Sequence, residues 1–407
     1  MIWFTLAWRN FIRNTRKSYF TLLIIVVGTV ACSIGIAYMS ATFMLVKEGT
    51  IRGGAGHLQI ASTDWFDGYE ESTLQHGLSP DLVRSIEQIS TAHPDIQLAM
   101  PRIRFQGLIS HGDASLVFIG DAVHAKLERQ LSQAFVSTVE GVGLEYLNAE
   151  QVYYVVIGSE LARLLGVRPG DDITLMAVTV HGGINAVDAT IAGISSSGNP
   201  DIDKMQLYAP LELAQSLLLT DKVSKFVLLL EDAQRIPSVQ AELIASFPEL
   251  TVRTWQELSP FYAQMVALYT RQFIVFGIII GLVVALTTGN AMLMNLFERK
   301  QELATMSSMG LPERGIQASY LFESAFLGIS AGALGLLLSV AACELINLAS
   351  IDMPPPPGRS EGYTLFVLFD AFPSLLLWGA VILLCVLAAA FATNRINKLQ
   401  LVEAING

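Results

Sequence analysis

Charge is scarce in this chain. Asp, Glu, Lys and Arg make up 15% of the 407 residues and hydrophobic residues 52%, with a mean hydropathy of +0.49, whereas soluble domains carry about 25% charged residues. The shortage is concentrated, because residues 19–46, 272–297, 324–343 and 371–394 contain none of the four charged types. Each stretch is long enough, as a helix, to cross a hydrocarbon core that takes about 20 residues. The composition excludes an ordinary soluble protein and predicts four transmembrane helices. The first stretch is too long for the core of a cleaved leader and no Ala-x-Ala site follows it, so a retained helix is expected.

Other absences narrow the chemistry. Only three cysteines occur, Cys32, Cys343 and Cys385, all in or beside apolar stretches. The polar region between the first two stretches must therefore fold without disulfides. No G-x-x-x-x-G-K-[ST] is present, and the one lysine followed by Ser or Thr, Lys17, lacks the preceding glycines. A P-loop nucleotide site is excluded from this chain. His57, His76, His93, His111, His124 and His181 fall in no spacing that puts two ligands on one helix face, so no metal site is expected. Ser159 and Ser195–Ser197 lack the G-x-S-x-G elbow, and Asp171 and Asp172 follow Pro-Gly as turn residues. Glu323 and Glu344 merely flank the third stretch, where snorkelling or interfacial burial is expected, and no inverted repeat is visible. A secondary transporter is thereby disfavoured.

What is present sets the topology. Arg9, Arg13, Arg16 and Lys17 precede the first stretch without an acid, Arg299, Lys300 and Arg314 follow the second, and Arg395 and Lys398 follow the fourth. By the positive-inside rule both termini and the 298–314 loop are cytoplasmic. Residues 48–270 then lie outside, with 13 Lys/Arg against 27 Asp/Glu. They read as α+β. Strands are expected at 57–62, 102–110, 114–120, 172–178, 187–194 and 225–230, and helices at 80–89, 159–165, 211–219 and 238–245. Ser79 and Ser159 are the expected N-caps. The boundaries follow: 1–18 cytoplasmic, 19–46 first membrane helix and stalk, 47–254 external domain, 255–271 amphipathic stalk helix running into the second membrane helix. The remainder reads 272–297 second helix, 298–314 cytoplasmic loop, 315–345 third helix, 346–370 external Pro-rich loop, 371–394 fourth helix and 395–407 tail.

Five segments carry a resemblance: LAWRNFIRNTRKSYFTLL, GHLQI, VIGSELARLLGVRPGDDITL, ERKQELATMSSMGLPERGI and NKLQLVEAING. With one helix, a large external domain and three more helices, the chain resembles the permease subunits of the MacB/FtsX superfamily of ABC transporters, above all lipoprotein-releasing Lol-type permeases. The tail lacks the Pro-Ala pair before the closing motif, and IDMPPPPG is not general to the superfamily. The resemblance implies a bacterial inner membrane, a periplasmic external domain, two copies of a separate ATPase that bind ATP and magnesium, and a second permease subunit, identical or not. A periplasmic lipoprotein carrier or adaptor is a further implied partner, and nucleic acid is not one. It implies mechanotransmission without catalysis in this chain, most simply for lipoprotein release. Efflux of small hydrophobic molecules or peptides with an adaptor, as in MacB, and control of a periplasmic enzyme, as in FtsX, stay open.

The loop ERKQELATMSSMGLPER is where coupling is expected. Leu303, Met306 and Met309 recur at i, i+3 and i+6, Glu298 and Glu302 stand at i and i+4, Arg299 flanks them, and Gly310 with Pro312 ends the turn. The alternative is a solvated loop whose charges only fix topology. In the resembling permeases this segment docks on the ATPase. Gly277 and Gly281 form one GxxxG, and Gly328 and Gly332, with Gly335 on the same face, another. They fit either packing within the chain or contact with a second permease. IDMPPPPG, 351–358, predicts an extended, stiff spacer.

Overall fold

The computed structural model describes residues 15–67, 74–132, 137–143, 152–298, 313–354 and 362–406. They divide into two units, one built on residues 1–44, 264–352 and 364–407 and the other on 45–263 and 353–363.

The first unit is a bundle of four long helices, Thr15–Thr50, Pro260–Glu298, Glu313–Ala349 and Ala371–Asn406. All four are long and apolar enough to cross a membrane. The 36-residue first helix and the 39-residue second run to about 55 Å or more at 1.5 Å per residue. The fourth continues unbroken through the segment read as a separate tail, because 395–406 contains no Gly or Pro to stop it. Ile25, Val26, Val284, Leu327, Ala331, Val381 and Cys385 form its core. Two polar groups there bond to neighbouring helices: Ser33 Oγ donates to Ser339 Oγ at 2.9 Å, and Trp378 Nε1 donates to the Ile329 carbonyl at 3.2 Å. Glu323 is 4% exposed and is buried in the bundle instead of reaching outward, while Glu344 is exposed. Residues 355–361 of the Pro-rich loop lie outside the described residues; at its base Asn347 binds both the N–H and the carbonyl of Val367.

Among its described residues the inserted unit has a sheet of ten strands: β1 Leu58–Ser62, β2 Ile96–His111, β3 Ala114–Val123, β4 Ser137–Gly141, β5 Tyr154–Gly158, β6 Asp172–Val178, β7 Ile184–Ser196, β8 Gln206–Pro210, β9 Lys225–Leu230 and β10 Leu250–Thr254. They make two architectures. In the first, helix Pro80–Ala92 joins β1 to β2 and helix Ile236–Ser246 joins β9 to β10, giving the order β10-β1-β9-β2 with every pair antiparallel. This is the split β-α-β arrangement repeated twice. In the second, β2 pairs β3, β3 pairs β8, β8 pairs β5, β5 pairs β7, β7 pairs β6, and β6 returns to β2. Those six strands close into a barrel. The 16-residue β2 belongs to both, pairing β9 through Ile96–Arg102 and β3 through Arg102–His111.

Local chemistry explains the elements. Every residue of β9, KFVLLL, is buried, as expected of a central strand covered on both faces. Ser79 accepts a hydrogen bond from Leu82 N, with Pro80 in the first turn. Three readings need correction. The helix at 159–165 is capped by Gly158, not Ser159: a Cβ on residue 158 would lie 2.1 Å from the Asp203 carbonyl oxygen, and the Ser159 hydroxyl turns instead to Asp203 Oδ2. The stalk helix is not continuous from 255. Trp255–Leu258 is a single turn closed by a Thr254/Glu257 capping box, and Ser259 leaves the helical region because Pro260 follows it. The remaining strands β4, β5, β8 and β10 come in addition to those expected from periodicity.

Candidate functional site

The segment expected to couple lies between two described helices. Glu298 is the last residue of the second helix and Glu313 the first of the third. Arg299, Glu302, Leu303, Met306, Met309 and Gly310 lie outside the described residues.

The glycines are sorted by what a methyl group would meet. At Gly328 it would lie 3.0 Å from Ile382 Cα, at Gly332 2.3 Å from Trp378 Cδ1, and at Gly335 2.7 Å from Thr29 Cβ. These three let the third helix approach the fourth and the first. At Gly281 the nearest atom is Leu384 Cδ1 at 3.4 Å, and at Gly277 nothing lies within 4 Å.

The inserted unit presents a surface that periodicity alone did not reveal. Leu108 pairs with both Val117 and Met176, Met176 with Ala186, and Val178 with Ile184. Paired residues share a sheet face, so these side chains form a continuous apolar row across β3, β2, β6 and β7. Leu108 is 43% exposed, Val117 54%, Val178 63% and Ile184 80%. Exposed Asp172 and Asp188 stand beside the row, accepting hydrogen bonds from Thr190 and Thr174.

Two buried polar clusters hold the unit in shape. Arg102, where β2 passes from one architecture to the other, is 4% exposed and pairs with Glu128 of helix Ala125–Ser132. Its guanidinium lies beside Gly54, whose φ of +116° ends the turn Ile51–Ala55 that follows the first long helix. Asp203 is 3% exposed and accepts from the Ser159, Ser196 and Ser197 hydroxyls and from Ser197 N. The serines weighed as candidates for catalysis thus serve a buried carboxylate, with Ser195 donating to the Ile157 carbonyl.

The histidines are separate. His57 Nδ1 accepts from Leu230 N at 2.9 Å, His93 pairs with Glu242, His76 with Asp64, and His111 Nδ1 meets the Asp172 carbonyl. Among the described residues no group of three metal-ligating side chains assembles. Burial lowers the pKa of His57 below the usual 6.5, which keeps the ring neutral and able to accept. Since the unfolded chain binds the proton more readily, this contribution to stability is complete above about pH 6.5 and fades as pH falls below it. The melting temperature of the inserted unit is expected to drop between pH 7.5 and 5, and His57→Asn, whose Oδ1 also accepts, should flatten that drop.

A four-helix membrane unit carrying a large α/β domain between its first and second helices defines a class of permease. The family described as MacB-like periplasmic core domain matches residues 18–246, more than half of the chain, and the FtsX-like permease C-terminal family matches 274–401. The chain belongs to this MacB/FtsX family and is an ABC transporter permease of the MacB/FtsX/Lol type. It is 22% identical to the lipoprotein-releasing system transmembrane protein LolE of Haemophilus influenzae over 99% of both chains. To LolC of Neisseria meningitidis it is 24% identical over 46% of this chain and 47% of that one, so that match spans about half of the relative. Among solved structures, the periplasmic region of MacB from Actinobacillus actinomycetemcomitans is 13% identical, with a TM-score of 0.36, covering 51% of this chain and 94% of that one.

Proposed function

We propose that this chain couples ATP hydrolysis on a separate subunit to movement of its inserted domain, for the release or transfer of a lipid-anchored protein. The observation that carries the reading is a pairing of absence and presence. The sequence contains no P-loop, yet the 14 residues between Glu298 and Glu313 hold an apolar stripe of Leu303, Met306 and Met309 bounded by charge. Methionine and leucine suit an adaptable protein contact. Two ATPase copies, each holding ATP and magnesium, would dock on this segment in two permeases, identical or not. Both termini and the segment then face the cytoplasm of a bacterial inner membrane and the inserted domain the periplasm, in keeping with the positive-inside rule. The permease itself performs no bond-breaking step. Its apolar row offers a place for a cargo, carrier or adaptor.

The lipoprotein reading draws support from similarity to proteins named for lipoprotein release, LolE along the whole chain and LolC along half. Co-purification tests the coupling. With Leu303→Asp and Met306→Asp together, recovery of the ATPase should fall about tenfold or more, equivalent to at least about 1.4 kcal/mol, while membrane insertion is unchanged. Undiminished ATPase binding by the double variant would overturn the assignment. Photocrosslinking from Val178 or Ile184 in cells separates the cargoes: a lipoprotein or its carrier supports release, an adaptor supports efflux, and a wall-degrading enzyme supports signalling.

A further inference from the structure

A narrow slot runs along the bundle between the second helix, Pro260–Glu298, and the fourth, Ala371–Asn406. One wall is drawn from Leu282 to Leu293 and the other from Leu384 to Ala392, with the small residues Ala285, Gly289, Ala388 and Ala392 among them. Its volume is about 440 Å³. Spread over the roughly 16 Å from Leu282 to Leu293 at 1.5 Å per residue, that volume leaves a cross-section of about 27 Å².

A channel about 5 Å across cannot take a helix, which is about 10–12 Å in diameter with its side chains. Its mouth covers on the order of 100 Å², against roughly 800 Å² per partner in a stable protein contact. A single hydrocarbon chain fits. Asn290 lines the slot, is exposed, and its amide makes no hydrogen bond among the described residues. Hydroxyls of the same helices return to carbonyls of their own chain, as Thr287 Oγ1 does to Val283 at 2.7 Å and Thr393 Oγ1 to Ala389 at 2.9 Å. An amide left unbonded in hydrocarbon is costly, so the occupant must bring an acceptor. Asn290 lies two turns, about 12 Å, from the Glu298 end of its helix, on the side of the hydrocarbon core where the esters of the adjoining leaflet are found. A methyl group at Gly289 would meet nothing nearer than the Ala388 carbonyl oxygen at 3.9 Å. Packing within the chain therefore does not require this glycine, which weakens a helix interior relative to alanine, and its effect is to keep the slot deep.

We propose that the slot holds one acyl chain of a phospholipid from the leaflet beside Glu298, with the Asn290 amide donating to the carbonyl of its ester. From Asn290 the chain runs along the slot toward Leu282, against the small and aliphatic residues of both helices. The volume falls within the range for small-molecule sites, roughly 300–1,000 Å³, and the cross-section admits one chain of the lipid while the other stays in the bilayer. The inference rests on the bundle spanning a membrane and not on ATPase coupling, so its failure would leave that reading untouched.

The test places the full chain in phosphatidylcholine nanodiscs that contain a phosphatidylcholine with a diazirine in its acyl chain, and maps the labelled peptides after photolysis. Label should concentrate on 282–293 and 384–392, about threefold or more above the exposed positions Phe322 and Ile329 of the third helix. An ether-linked analogue keeps the chain and lacks the ester carbonyl, so it should label the slot about threefold less than the ester lipid. Asn290→Leu should abolish that preference for the ester. Gly289→Leu, which fills the slot, should bring its labelling down to that of the third helix. The two deciding comparisons use the unaltered chain. Slot labelling no higher than that of the third helix, as when a second protein chain covers the slot, would overturn the proposal, and so would equal labelling by the ester and ether lipids.

Discussion

Glu128→Ala is expected to destabilise the inserted unit by about 3–5 kcal/mol, because it leaves the Arg102 guanidinium buried without its carboxylate. Arg102 and Glu128 are only 4% and 7% exposed, so water cannot replace the lost partner. Arg102 is also the residue at which β2 changes neighbours, from Lys225 of β9 to Val123 of β3. Both architectures therefore suffer together. Urea unfolding of the full chain in mild detergent, followed by tryptophan fluorescence, should show a midpoint lowered by about 1–2 M at a slope of about 2–3 kcal/mol per molar. Replacing both partners, Arg102→Met with Glu128→Leu, should restore most of the loss, since an apolar pair of similar size carries no desolvation cost. A single variant as stable as the parent would show that the pair holds nothing in place.

Asp203→Ala is the second large effect, about 3 kcal/mol or more. The carboxylate takes four hydrogen bonds, from three serine hydroxyls and Ser197 N, and bonds to a charged acceptor contribute about 1.5–3 kcal/mol each before desolvation is counted. Truncation orphans the donors in a buried site. Asp203→Asn should fall between, as an amide accepts on one side only. The same urea midpoint reads both variants. Because Gly158 lies against the Asp203 backbone, loss of this cluster should also loosen the start of helix Ser159–Leu165, visible as faster amide exchange there.

Much of the membrane unit was legible because hydrocarbon imposes a length and forbids charge, and four uncharged stretches state both conditions directly. Elements with strong local signals were equally plain: DITLMAV forms a strand and SELARLL a helix within the expected limits. Short strands such as YVVIG and QLYAP were not, for their identity comes from pairing between distant residues, β5 with β7 and β8, and β8 with β3. The closure of six strands into a barrel has no local sign at all. Residue type also misled at Ser159, where a preferred capping residue gave way to a glycine demanded by a backbone 45 positions further along. At Thr254 the T-W-Q-E capping box and Pro260 were readable signs of a break, overridden by the apolar spacing that continues beyond them. The stripe of Leu303, Met306 and Met309, continuous in sequence, lies outside the described residues, and its coupling role stays a proposal.

Closure of the barrel bears on how the inserted unit avoids aggregation. Each barrel strand has a neighbour on both sides along part of its length, and among the described residues the path β10-β1-β9-β2-β3-β8-β5-β7-β4 ends on β10 and β4. Both are five residues long, and β4 shifts register against β7 between Thr138 and Glu140. Short and bulged edges are poor templates for strand addition by an unfolded chain. The two end strands therefore resist amyloid-like strand addition in a unit that exposes apolar side chains such as Val178 and Ile184.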